Sequence, residues 1–207
     1  MIPEHRITED CSELTRELVL DFHTCPDAVL IHAIRRAFST FCEKSHFWHM
    51  DLDVIQVEDG VTTYDISAGN YFILLDVKRV VVPDGEVKQS ATDLGIYARW
   101  DQRSMDSIDL YSIDAGDEVT ITAAVKPREY NEVFKFSSLI LTDYRDTILD
   151  GARARLFKMP QKEWTDLRLS QVHEAAFNSS CDEARRRQVD SFSRLGNRVT
   201  EKARTFY

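Results

Sequence analysis

The segment Gly151–Trp164 constrains the fold more than any other part of this sequence, because Met159-Pro160 sits in its middle between two runs of helical periodicity. Proline has no backbone N–H and disfavours helix at the residue before it, so a helix entering this segment must end at Met159. The incoming pattern runs from Ser138 through Leu141, Tyr144, Ile148, Ala152 and Leu156. The outgoing helix starts at Glu163 or Thr165 and carries Leu169, Val172, Ala176, Phe177, Cys181, Ala184, Gln188 and Phe192 along one side, ending before Gly196-Asn197. Two helices joined by a sharp corner must pack on something, and Trp164 is the natural anchor of that corner. Trp48, Gly151, Met159, Pro160 and Trp164 are therefore the expected core of the helix junction.

A second helix is written near the start of the chain. From Asp27, after Pro26, the residues Leu30, Ile34, Ala37, Phe38, Phe41, Ser45 and Trp48 recur at three and four spacing. Beyond Trp48 the pattern becomes alternation. Leu52–Val57, the turn Glu58-Asp59-Gly60 and Thr62–Ile66 predict a hairpin, and Tyr71–Val82 predicts a strand turning at Pro83-Asp84-Gly85 into Glu86–Gln89. Tyr97–Trp100, Ser107–Ser112 and Glu118–Val125 are three further strands. Helices at both chain ends flank this region and must bury their stripes against each other. The expected fold is α+β: a helical bundle (27–50 and 138–195) with an inserted antiparallel β-sandwich or small barrel (51–137), an N-terminal arm (1–26) for which a short helix around Leu18-Val19-Leu20 and Phe22 is the other reading, and an extended C-terminal tail (196–207).

Charge narrows the function. The net charge of −9 argues against general affinity for nucleic acid, which Lys and Arg drive by displacing counterions from phosphates. The ends differ: residues 1–27 hold seven acids against two Lys and Arg, whereas 183–207 hold seven basic residues against three acids. Such ends seek oppositely charged surfaces. With no long apolar run and no secretory core at the start, the expectation is a soluble protein made in the cytosol, with no membrane partner. The four cysteines, at 11, 25, 42 and 181, are spaced too irregularly for a zinc motif or a disulfide framework and are expected as reduced thiols.

Catalytic and cofactor signatures are missing from the sequence. Cys42, His46 and His49 have helical spacing for a partial metal site, but no fourth ligand accompanies them. The aspartates of 76–117 include pairs such as Asp106 and Asp109, yet most fall where turns and solvated strand faces favour Asp. No nucleophile elbow, phosphate loop or dinucleotide fingerprint occurs. The expectation is a protein that is not an enzyme and carries no cofactor or metal. Arg185, Arg186, Arg187, Phe192, Arg194, Arg198, Lys202, Arg204, Phe206 and Tyr207 then stand out as a basic and aromatic docking set.

The order of these pieces resembles the head-to-tail adaptor (connector, or head completion) proteins of tailed phages and is similar to the podovirus tail tubular proteins. The matching residues are Ala37–Ser45 running into Trp48, then Gly60–Ile66, Val77–Val82 with the Asp84-Gly85 turn, and later Gly151-Ala152, Leu156, Met159-Pro160, Lys162, Trp164, Phe177 and Ala184. The resemblance implies a ring of twelve copies beneath the portal of a virion, extending the DNA channel and presenting a platform to the next tail or nozzle protein. It also implies that the segment Arg185–Tyr207 docks on the portal, while DNA passes through without specific binding. The alternative from another class is a non-catalytic carbohydrate- or protein-binding β-sandwich module of a tail or baseplate.

Overall fold

The computed structural model describes residues 7–8, 11–83, 85–87, 100–129, 131 and 133–197. The chain is a mixed α+β protein. Its elements are β1 (Ile7–Thr8), α1 (Ser12–Asp21), α2 (Asp27–Ser45), β2 (His49–Asp51), β3 (Ile55–Gln56), β4 (Thr63–Asp65), β5 (Phe72–Val82), β6 (Gly85–Val87), β7 (Trp100–Ser104), β8 (Ser107–Leu110), β9 (Glu118–Pro127), β10 (Phe136–Ser137), α3 (Ser138–Asp143), α4 (Arg145–Phe157) and α5 (Leu167–Asn197). Among the described residues all strand pairings are antiparallel. The main sheet has the order β2-β9-β5-β6, with β3 also paired to β9, and a smaller sheet has the order β4-β8-β7. Among the described residues neither sheet closes into a barrel.

Helix α2 supplies the hinge of the packing because its apolar residues cover more than one face. Leu30, Ile34, Ala37, Phe38, Phe41 and Cys42 are all fully buried. Phe38 meets Trp48, Phe134 and Phe136 edge-on, with centroids 5.8, 6.2 and 5.0 Å away. Trp48 in turn stands against Phe72 of β5 at 5.0 Å. Helices and sheet thus share one hydrophobic core. Trp48, grouped above with the helix junction, lies on the seam between α2 and the main sheet.

Several expectations are corrected. In the N-terminal segment the short-helix reading holds over Ser12–Asp21: α1 buries Leu14 and Leu18, with Phe22 just beyond. Its acids find the opposite charges on α4: Arg145 pairs with Glu13 and Glu17 at 3.0 and 3.1 Å, and Arg153 pairs with Asp21 at 2.7 Å. The hairpin expected around Glu58–Gly60 does not pair with itself. Ile55–Gln56 bonds to β9 and Thr63–Asp65 to β8, while the Tyr64 hydroxyl accepts from the Glu58 N–H at 2.9 Å and ties down the loop between them. The helix expected over 138–159 is broken at Tyr144, which leaves helical geometry (φ −123°, ψ 27°) and packs its ring tilted against Phe41 and edge-on against Phe47, at 4.8 and 4.9 Å.

The corner after α4 is built by hydrogen bonds more than by burial. Gln161 takes a left-handed φ of 57°, and the Thr165 hydroxyl donates to Met159 O at 2.5 Å while accepting from Lys162 N at 3.0 Å. Asp166 caps α5, its carboxylate accepting from Arg168 N and Leu169 N at 2.9 and 3.0 Å. The helix therefore starts at Leu167 instead of Glu163 or Thr165. Pro160 is exposed, Met159 and Trp164 are half-buried, and Trp164 meets Phe22 edge-on at 6.5 Å.

The buried side of α5 matches expectation at Phe177, Cys181 and Ala184 and differs from it toward the start of the helix. Ser170, Phe177, Cys181 and Ala184 face inward, whereas Leu169, Val172 and Ala176 are exposed. The reason is close helix approach. A Cβ on Gly151 would stand 2.8 Å from the Phe177 ring and 3.0 Å from Ala37 Cβ, so this glycine lets α2, α4 and α5 converge. Small inward residues suit that spacing, and the Ser170 hydroxyl is satisfied by donating to Ala154 O at 2.8 Å.

Candidate docking surface at the distal half of α5

Arg185, Arg186 and Arg187 are exposed on α5, and each is oriented by a bond within the chain. Arg185 donates to Lys44 O in the last turn of α2 at 3.3 Å, where a cation is favoured by the helix dipole. Arg186 donates to Asp182 O at 3.3 Å, and Arg187 pairs with Glu183 one turn back. Arg187 also reaches the Tyr144 hydroxyl. Val189, exposed, completes this end. Phe192 and Arg194 fall within α5, but their side chains are outside the described residues, as are Arg198, Lys202, Arg204, Phe206 and Tyr207 altogether.

Beside Arg185 lies a cluster that sequence reasoning missed. His46, in left-handed geometry (φ 53°, ψ 32°), ends α2 and meets Asp76 and Lys78 of β5. Lys78 Nζ is 2.5 Å from Asp76 Oδ2 and 3.0 Å from His46 Nδ1. Asp76 and Lys78 reach the histidine because β5 carries two register shifts, between Leu74 and Asp76 and between Val77 and Arg79. The Val77 N–H is taken up by the Gln102 side chain at 2.8 Å. With Arg185, Gln188 and Val189 the cluster lines a cleft of about 250 Å3. The only sequence signal was His46 itself, since nothing in an alternating strand announces a bulge.

Burial alone would push the Asp76 carboxyl up, but hydrogen bonds from His46 and Lys78 prevail and hold it at about 2. Stability from this carboxylate is therefore present above its unfolded value near pH 4 and lost as the pH falls through about 2. Asp76 is 40% exposed, so screening limits the effect to about 1 kcal/mol. Urea titrations between pH 5 and 2 should show that loss in the wild type and a flatter profile in Asp76→Asn. Parallel profiles would remove the carboxylate from acid stability.

The suspected metal trio is not assembled. Cys42 is buried beside Cys181, and burial pushes its thiol well up, with Cys181 adding to the rise; His46 has turned to Asp76. Burial also raises the Cys181 thiol to about 12 and raises that of Cys25. In the native protein a thiol reagent should label half-buried Cys11 at least tenfold faster than Cys42 or Cys181, because the thiolate is the reactive form. Mass mapping of the labelled peptides checks this, and equal labelling before unfolding would contradict it. Among the described residues no three His, Cys, Asp or Glu side chains gather to hold a metal ion. The carboxylate of Asp109 is occupied across the small sheet, accepting from the Thr63 and Tyr111 hydroxyls at 2.7 and 3.2 Å.

No family model matches the chain, and no curated protein does. No helix of the described residues is long and apolar enough to cross a membrane. The distal half of α5 presents cations held in place yet open to solvent, which suits charge-assisted contacts to a protein partner.

Proposed function

We propose that this protein is a structural head-to-tail adaptor of a tailed phage, made in the host cytoplasm and built into the virion as a ring of twelve copies under the portal. In this reading the helices form the bundle and the sheets the inserted β-domain, while the ring extends the DNA channel and offers a platform to the downstream tail protein. The observation that carries it is α5. This helix of 31 residues, about 46 Å long, packs through Phe177 and the small residues Ser170, Cys181 and Ala184, exposes Leu169 and Val172 near its start, and presents Arg185, Arg186 and Arg187 toward its end. An apolar stretch for a neighbouring copy and a charged end for a partner are what a ring that docks on another ring requires. The net charge of −9 fits a channel past which DNA slides without sticking.

The test is co-sedimentation of the purified chain with the portal ring encoded in the same genome, followed by particle imaging of the heavy fraction. A second ring stacked on the portal is expected. Deleting 195–207 should leave a folded protein that no longer joins the portal, because docking groups are lost and the core named above is kept. A chain that stays monomeric with portal at low and high salt and instead binds glycans would replace this reading with that of a free-standing binding module.

A further inference from the structure

We propose that the cleft where α2, α4 and α5 converge binds a single small oxyanion of the phosphate or sulfate class. The proposal does not rest on the adaptor reading. The cleft measures about 120 Å3, too small for a nucleotide or sugar but open to an ion. Lys44, Arg155 and Lys158 line it, against one carboxylate, Glu174. In a chain whose net charge is −9, this places a local surplus of positive charge in a concave site.

The cations are poorly compensated. Arg155 is half-buried, and its guanidinium donates to the neutral hydroxyl of Thr40 at 2.7 Å, with no carboxylate of the described residues at ion-pair distance. A guanidinium has five donors in a planar fork matched to an oxyanion, so this one bond leaves donors to spare. Lys44 Nζ likewise donates to a neutral group, Asn178 Oδ1, at 2.5 Å, and lies over the Phe177 ring at 5.7 Å. Lys158 and Glu174 are 3.9 Å apart, at the outer limit of an ion pair. Burial, and then the nearby Arg36, push the Arg155 pKa down, and the more distant charges of Glu129 and Glu174 offset this only in part. An oxyanion seated among Lys44, Arg155 and Lys158 would add negative charge among these cations and tie α2 to α4, beside α5. Lys44 comes from α2, Arg155 from α4 and Asn178 from α5, with Lys158 capping α4.

Thermal melts of the full chain in sodium phosphate and in sodium chloride at matched ionic strength test the site, with the phosphorus NMR line width of phosphate as a second readout. At phosphate well above the dissociation constant, the expected rise in Tm is about 3 °C or more over chloride. It should be accompanied by line broadening that sulfate reverses by competition. Arg155→Gln and Lys158→Gln should each remove most of the rise and the broadening. Because phosphate also stabilises proteins by exclusion from their surface, an equal rise in wild type and both variants, without broadening, would overturn the site. Should Arg155→Gln not fold, Lys158→Gln and Lys44→Gln decide, since both lysines are exposed. Retention of the broadening in both lysine variants would likewise sink the proposal.

Discussion

Phe38→Ala is expected to lower the stability of the protein by about 3–5 kcal/mol, the range for removing a fully buried aromatic ring. Phe38 is 0% exposed, and its ring touches Trp48, Phe134 and Phe136 edge-on. Each such pair adds about 0.5–1.5 kcal/mol beyond the area it buries, so three of them place the loss toward the top of that range. A domain of ordinary stability holds about 5–15 kcal/mol in total, and the variant should sit near the edge of folding. Phe38→Leu, which keeps most of the volume but loses the ring edges, should cost noticeably less. Urea unfolding followed by tryptophan fluorescence measures both. A loss below about 1 kcal/mol for the alanine variant would mean that helix and sheet do not depend on this ring.

The second large effect is expected from adding atoms. Gly151→Val should destabilise by about 2–3 kcal/mol despite the better helix propensity of valine, because overpacking a tight contact costs about 1–3 kcal/mol or more. The first added carbon already stands 2.8 Å from the Phe177 ring and 3.0 Å from Ala37, and valine adds two methyl groups to it. Gly151→Ala should be milder, since up to about 1 kcal/mol of helix propensity offsets part of the clash. Combining Gly151→Val with Phe177→Leu should recover part of the loss, a non-additivity that only direct contact produces. Strictly additive effects, or a valine variant as stable as wild type, would show that α4 and α5 are free to move apart here.

Periodicity was enough to find α2, and the incoming α4 is marked by Ile148, Ala152 and Leu156, because long apolar stripes dominate their local energetics. Val80, Val82, Ile121 and Val125 are similarly legible as buried strand positions in β5 and β9. On α5 the buried Phe177, Cys181 and Ala184 were legible, but the exposure of Leu169, Val172 and Ala176 was not, because the close approach at Gly151 on another helix decides which side of α5 can pack. Nor was the partner of β4, since alternation reveals a strand but not its neighbour across 42 residues, as between Asp65 and Ser107. The charged groups divide the same way. Arg185, Arg186 and Arg187 were visible as a run, whereas His46, Asp76 and Lys78 come together only through a bulged strand and a left-handed helix end. The cleft around Arg155 draws on three separate helices, and no local pattern carries it.

The central position of α2 has a bearing on how the molecule breathes. It contacts α1, α4, α5 and β9, and its residues Leu30, Ala33, Ile34, Ala37, Phe38, Phe41 and Cys42 are at most 2% exposed. A helix walled in on so many sides cannot open without disturbing each neighbour, so its amides open only with the whole fold. In deuterated water the middle of α2 should be the last segment to lose its protons, while exposed α5 residues around Leu169 exchange earlier. Strain applied at the rim of the molecule would then be absorbed by the outer helix, leaving the centre protonated and its geometry unchanged.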